Sequence, residues 1–226
     1  MAFLYIIATP IGNLEDVSKR ALRILSEVDL ILCEDTRKTK RLLDSYNIKK
    51  QTLSYHQHSR LEKTGYIIDL LKAGKNLALV SDAGTPGISD PGNLLTKEVV
   101  RALGNKVKIV PVPGASAVTV AASVSGFPTD RFLFLGFLPV KNKRKKFFAE
   151  VVSSKYPVIF FESPYRILKT LEELKNMDKE LEVVVCRELT KAFETIYRGN
   201  IEKVIKDVQN DKIKGEFVII INRDAK

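Results

Sequence analysis

The sequence predicts an α/β protein built as two α/β domains, and three observations lead there. Short apolar runs alternate with stretches of helical spacing along most of the 226 residues, the pattern of strands joined by crossover helices. Three runs in the first half end in Gly/Pro-rich turns, at residues 10–13, 81–92 and 111–117. The segment Gly126-Phe127-Pro128-Thr129 then interrupts the alternation. It reads as a joint between an N-terminal domain, 1–125, with a mostly parallel sheet, and a C-terminal domain, 126–226, with a mixed sheet.

Taken in order, residues 3–8 (F-L-Y-I-I-A) are a continuous apolar run, as for a strand buried on both faces. The turn T-P-I-G-N follows, then helical spacing through residues 14–28, with Asn13 and Asp16 as a capping arrangement. Leu30–Cys33 is the next strand and runs into Glu34-Asp35-Thr36-Arg37-Lys38; residues 36–46 read as helix. Residues 51–55 form a short strand, and Ser59 caps a helix reaching Ala73 and stopped by Gly74. Leu77–Val80 is a buried strand. The stretch V-S-D-A-G-T-P-G-I-S-D-P-G after it is a long loop ending in a helix to Leu103, with Asp90 as N-cap and Pro91 in the first helical position. Residues 107–110 are a fifth strand, followed by P-V-P-G-A-S-A and a small-residue helix to Ser125.

The second half repeats the alternation. Strands are expected at 132–137, 158–161, 181–186, 193–197 and 217–222. Helices are expected after the basic run 141–146 to Ser153, from Ser163 and Pro164 to Met177, and over 201–208.

Composition narrows the function classes. A net charge of +10 favours anionic partners, above all nucleic acid. Cys33 and Cys186 lie far apart in apolar runs, which fits buried thiols in a reducing compartment and neither disulfide nor zinc. His56 and His58 have no clear third ligand nearby, so a metal is not expected. The start lacks the basic n-region of a signal peptide, and the uncharged stretch 109–129 is broken by Pro and Gly, so a cytoplasmic protein without a membrane span is expected. G-x-G-x-x-G, a Walker A loop and G-x-S-x-G are all missing. What remains is a strand-end site of backbone-rich loops and small residues. Ligands of open α/β sheets bind at that edge, and the amides opening the helix near residue 117 suit a carboxylate or phosphate.

The motifs T-P-I-G-N-L-x-D, C-E-D-T-R, S-D-A-G-T-P-x-I-S-D-P-G, P-x-P-G-x-S-A, F-x-x-x-F-x-P, F-E-S-P-Y-R and C-R-E-L-T-K resemble the bacterial 16S rRNA ribose 2′-O-methyltransferases of the tetrapyrrole methylase family. The resemblance runs from about residue 4 to 222. It implies S-adenosylmethionine in a cleft between two α/β domains, a homodimer, and a decoding-site cytidine of the small ribosomal subunit as acceptor. Carried over by motif, the cofactor residues are Pro10, Gly12, Asp82, Ala83, Gly84, Thr85, Pro86, Ile88, Gly114, Ala115, Ser116 and Ala117, with Phe161, Leu189, Gly215, Glu216 and Phe217 from the second half. Many members of the family extend beyond the last strand, close to which this sequence ends.

Transfer to a ribose hydroxyl needs alignment and a positioned base. Glu34, Asp35 and Lys191 are the catalytic candidates, with Asp82, Glu162 and Glu188 also at strand ends. Arg37, Lys38, Arg41, Arg166 and Arg187 could hold phosphates, and the run Lys141, Lys143, Arg144, Lys145, Lys146 could track an RNA backbone. A small-metabolite methylase on the same fold and an inert RNA-binding relative are the rival readings.

Overall fold

A computed structural model describes residues 1–56, 61–90 and 92–222. The expectations for His58, Ser59 and Pro91 lie outside the described residues. The chain divides into two compact units, Met1–Ser116 and Ala117–Lys226. The division falls ahead of the expected joint because the helix Ala117–Ser125 packs on strands of the second unit.

The first unit is a five-stranded parallel sheet in the order β3-β2-β4-β1-β5. Its strands are β1 (Ala2–Ile7), β2 (Leu30–Cys33), β3 (Thr52–Ser54), β4 (Leu77–Val80) and β5 (Val107–Val112). Its helices are α1 (Lys19–Glu27), α2 (Thr36–Ser45), α3 (Leu61–Lys72) and α4 (Gly92–Leu103). Side chains alternate across the pleat. Leu4, Leu32, Leu77 and Leu79 pack with Ile67, Leu71, Leu95 and Val99 of α3 and α4. Ile7, Ile31, Ala78 and Val80 pack with Ala21, Ile24, Leu25 and Leu43 of α1 and α2. Both faces are covered, which is why these strands read as unbroken apolar runs.

The second unit opens with α5 (Ala117–Ser125) and holds a mixed sheet in the order β6-β7-β10-β8-β9. The strands are β6 (Leu133–Phe137), β7 (Val158–Glu162), β8 (Glu182–Arg187), β9 (Thr195–Asn200) and β10 (Phe217–Asn222). β6 and β7 run parallel, while β10 is antiparallel to both of its neighbours. The helices α6 (Arg144–Ser153), α7 (Ile167–Met177) and α8 (Ile201–Gln209) bury Phe147, Phe148, Leu171, Leu174, Val204 and Ile205 against Phe160, Val183, Val185, Ile219 and Ile221.

Five boundaries differ from the sequence reading by more than one residue, one being α6, which begins at Arg144 within the basic run and not after it. The spacing over 14–28 resolves into a 3-10 turn at Leu14–Asp16 and a separate α1, because the Ser18 side chain accepts from Ala21 N at 3.1 Å and caps α1 there. β5 continues through Pro111: it is an edge strand, and Pro111 turns its carbonyl outward to Arg20 Nη2 at 2.7 Å, so no ladder bond is lost. α7 begins at Ile167, not at Pro164: residues 163–166 form a turn in which Arg166 N and Ile167 N both donate to Ser163 O, and the Ser163 amide is held by the buried Glu162 carboxylate. β9 starts at Thr195, after a turn that occupies Phe193.

Candidate functional site

In the first unit Ile7 pairs with both Val80 and Val112, so the three loops leave the sheet side by side. They are also bonded to one another. Thr9 and Gly84 exchange backbone hydrogen bonds of 2.9 and 3.0 Å, Ala8 N donates to Val112 O at 3.1 Å, and Thr85 Oγ1 donates to Ala115 O at 3.2 Å. The Gly/Pro loops around Pro10, Gly12, Ala83–Pro86 and Gly114–Ser116 therefore converge on one edge; Ala117 begins α5 in the second unit. Gly84 holds φ +79°, where a side chain is strained although space exists beside Ile11 and Ala115 O. Thr9 is a residue the motifs alone did not single out. It is buried, and its hydroxyl donates to Ser81 O at 3.2 Å.

The C-E-D-T-R segment joins this edge through Asp82. Asp82 Oδ1 accepts from Asp35 N at 3.1 Å, and Oδ2 pairs with Lys38 Nζ at 2.7 Å. Asp35 caps α2 and is held by Arg37 in a two-point pair of 2.8 and 3.1 Å, which keeps its carboxyl well below the usual carboxylate range. Such a group is a poor proton acceptor. Glu34 is the opposite case: half-buried, it is pushed above the ordinary Glu value by burial, and then by the charges of Asp90 and Asp82. Asp90 itself is occupied as a loop clamp, with Oδ1 accepting from Gly87 N and Gly92 N at 2.7 Å each. Arg37 and Arg41 are exposed on α2; Lys38 is exposed but tied to Asp82. A groove of about 420 Å³ lined by Leu22, Arg23, Tyr46 and Lys49 sits by the segment leading into β3.

In the second unit, the carboxyl ends of β6, β7 and β8 share an edge with the amino ends of β9 and β10. Lys191 Nζ lies between Glu188 Oε1 at 2.8 Å and Glu216 Oε2 at 2.9 Å. Burial works against its charge, but the two carboxylates outweigh burial and raise its pKa. Lys191 is thus a charged donor at neutral pH and not a base. Burial likewise opposes the charge of Glu188, which Lys191 and the Glu216 amide overcome, lowering its pKa. Gly215, at φ +97°, makes this possible: a Cβ there would stand 2.4 Å from Glu188. Leu189 and Phe217 are buried, and Phe161 sits between Phe134 and Phe137 with ring centroids 5.1 Å from each.

Three expected RNA contacts and one candidate base are taken up by pairs inside this unit. Arg144 turns inward to Glu173 at 2.7 Å and Thr170 at 3.0 Å, its side chain only 13% exposed. Arg187 is buried and binds Asp211 at 2.9 Å and Lys214 O at 3.0 Å. Arg166 pairs with Glu162 at 2.6 Å. The other oxygen of Glu162 accepts from Thr170 Oγ1 at 2.7 Å, which leaves that carboxylate a structural anchor. Lys141, Lys143, Lys145 and Lys146 remain exposed.

The donor set of the first unit fits S-adenosylmethionine. Main-chain groups of converging loops suit an adenine edge and a carboxylate, and the Glu34 carboxylate suits a cationic donor. No group of three His, Cys, Asp or Glu among the described residues is placed to hold a metal ion, and no helix among them is long and apolar enough to cross a membrane.

Comparison with solved structures shows the fold. The fold matches a diphthine synthase (TM-score 0.75, 14% identity, 98% of this chain and 90% of that one) and a cobalt precorrin-4 methyltransferase (TM-score 0.67, 21% identity, 97% and 94%). The family model for tetrapyrrole (corrin/porphyrin) methylases matches residues 3–205. Relatives named "Ribosomal RNA small subunit methyltransferase I" are 45% identical in Halalkalibacterium halodurans (96% of this chain, 75% of that one) and 44% identical in Thermotoga maritima (98% and 99%). The chain belongs to the tetrapyrrole methylase family and is an S-adenosylmethionine-dependent methyltransferase.

Proposed function

We propose that this enzyme methylates the ribose 2′-oxygen of a cytidine in 16S rRNA of the small ribosomal subunit. The observation that carries the reading is the 44–45% identity, over nearly the whole chain, to relatives named as small-subunit rRNA methyltransferases. The net charge of +10 supports a polyanionic acceptor over a small tetrapyrrole.

S-adenosylmethionine, when bound, supplies an electrophilic methyl with a neutral leaving thioether. The protein's own task is then to orient the acceptor and take one proton. Glu34 is the group suited to accept it: its raised pKa makes it a stronger base than an ordinary carboxylate, while it still ionises as pH rises. Asp35 holds α2 in place, and Lys191 holds anionic groups without releasing its proton. Gly84–Pro86 and the loop at Gly114–Ser116 are proposed to line the donor in the first unit, with Pro10, Gly12, Asp82, Ala83 and Ile88. Ala117, Phe161, Leu189 and Gly215–Phe217 are proposed for the second. By the same family resemblance the working unit is a cytoplasmic homodimer, measurable by sedimentation. Labelled methyl transfer to small ribosomal subunits, followed by nuclease mapping and a ribose-versus-base test, decides the function. Transfer confined to a corrin or porphyrin, or no transfer at all, would overturn it.

A further inference from the structure

The three most exposed aromatic side chains among the described residues stand at one edge of the second sheet. Tyr165 is 96% exposed, Phe193 75% and Phe137 61%. They come from the turns after β7, before β9 and at the end of β6, which the topology brings to the same edge. Exposed aromatics scattered singly need no explanation; three on one edge do. With strands about 4.8 Å apart, β6 and β8 are separated by about 14 Å there, so the rings span a row and not a single spot.

Each ring stands on tied-down backbone. Phe137 leans on Phe161 with centroids 5.1 Å apart. Below Tyr165, Arg166 N donates to Ser163 O at 3.1 Å, and Arg166 Nε donates to Ser163 Oγ at 3.1 Å. The turn before Phe193 is closed by Lys191 N to Glu188 O and Glu194 N to Lys191 O, both 3.0 Å, and by Thr190 N to Glu194 Oε2 at 2.6 Å. Backbone held this way loses little freedom when something stacks on the ring it carries. Exposed lysines flank them: Lys141 and Lys143 in the loop after β6, and Lys145 and Lys146 in the first turn of α6, which carries no acidic residue.

Exposed aromatic faces beside a basic rim are complementary to one kind of partner, unpaired bases on a phosphate backbone. We propose that this edge is a platform on which the bases of a single-stranded RNA segment stack, the lysines holding its phosphates. This deepens the rRNA reading above and rests on it for the choice of RNA.

The test uses the whole chain and two labelled probes, a single-stranded uridine 12-mer and a 12-base-pair RNA duplex, read by fluorescence anisotropy. Tyr165→Ala and Phe193→Ala should each weaken single-strand binding by about 5- to 100-fold. Duplex affinity and the salt slope should stay unchanged, and Tyr165→Phe should retain binding. S-adenosylmethionine affinity by calorimetry should also hold. Unchanged single-strand affinity in the double alanine variant would overturn the platform, as would an equal loss on duplex. A fall in cofactor affinity would overturn it too. Dissociation of a dimer on sedimentation would assign the rings to self-association instead. If the wild type methylates ribosomal subunits while the variants bind normally, only the platform fails. If the variants behave as expected but no methyl reaches rRNA, only the function reading fails.

Discussion

Gly215→Ala tests how the second unit's polar edge is assembled. The substitution puts a Cβ into backbone at φ +97°, a cost of about 1–2 kcal/mol for an L residue in a left-handed conformation. The same Cβ would stand 2.4–2.5 Å from Glu188, so the Glu188 side chain must leave. Its departure breaks the bond from Lys191 Nζ at 2.8 Å and that from Glu216 N at 2.9 Å. At about 1–1.5 kcal/mol for each such bond, the total destabilisation is about 3–5 kcal/mol. Urea unfolding followed by far-UV circular dichroism measures it, the chain having no Trp. Glu188→Gly in the same background removes the clash, and Gly215→Ala should then cost only the backbone part, about 1–2 kcal/mol. An equal cost in both backgrounds would show that Glu188 does not occupy the space Gly215 leaves.

Three further predictions concern the first unit's edge and the basic run. Glu34→Gln should lower kcat by about 10²–10⁴-fold and abolish the acid limb of the pH–rate profile. In the wild type, activity should rise with pH as Glu34 ionises, at a pH above the ordinary Glu value, because only the carboxylate accepts a proton; an intact profile in the variant would clear Glu34 of the role. Asp82→Ala, which removes the acceptor of Asp35 N and the ion-pair carboxylate of Lys38, and Gly84→Val, which forces a β-branched residue to φ +79°, should each weaken cofactor binding about tenfold or more; normal affinity in both by calorimetry would take this loop out of the site. Arg144→Ala should destabilise the fold by about 2–3 kcal/mol through its lost charged bonds, whereas Lys143→Glu with Lys145→Glu should leave unfolding unchanged and reduce the salt slope of single-stranded RNA binding by about 0.7 per lost phosphate contact. The reverse assignment would be shown by a salt slope that moves with Arg144 alone.

The first sheet was legible because each parallel strand and its helix are neighbours in sequence, and because strands buried on both faces write themselves as apolar runs. The loops were legible for a related reason: Gly84 and its neighbours must turn sharply after a buried strand. Long-range side-chain choices were not. Within Lys143-Arg144-Lys145 nothing local says which residue turns inward; that is decided by Glu173 and Thr170, 29 and 26 residues further on, in α7. Ser163-Pro164 looks like a helix start, yet the neighbouring Glu162 takes the Ser163 amide because that carboxylate is buried and must be satisfied. Glu34 and Asp35 are adjacent carboxylates with opposite behaviour, and the difference comes from Arg37 on one side and Asp82 and Asp90 on the other.

Pro111 has a bearing on how the molecule behaves among its own copies. An edge strand is a template: any passing segment can pair with its outward amides and carbonyls, and crowded chains aggregate that way. On β5 the proline presents no outward N–H, and the guanidinium of Arg20 already occupies its carbonyl. The outer margin of the first sheet is therefore closed to strand addition at that point. Copies of the chain that meet there have side chains, and not backbone, with which to recognise each other, so any pairing at that margin is selective by sequence and not by the general stickiness of β-structure.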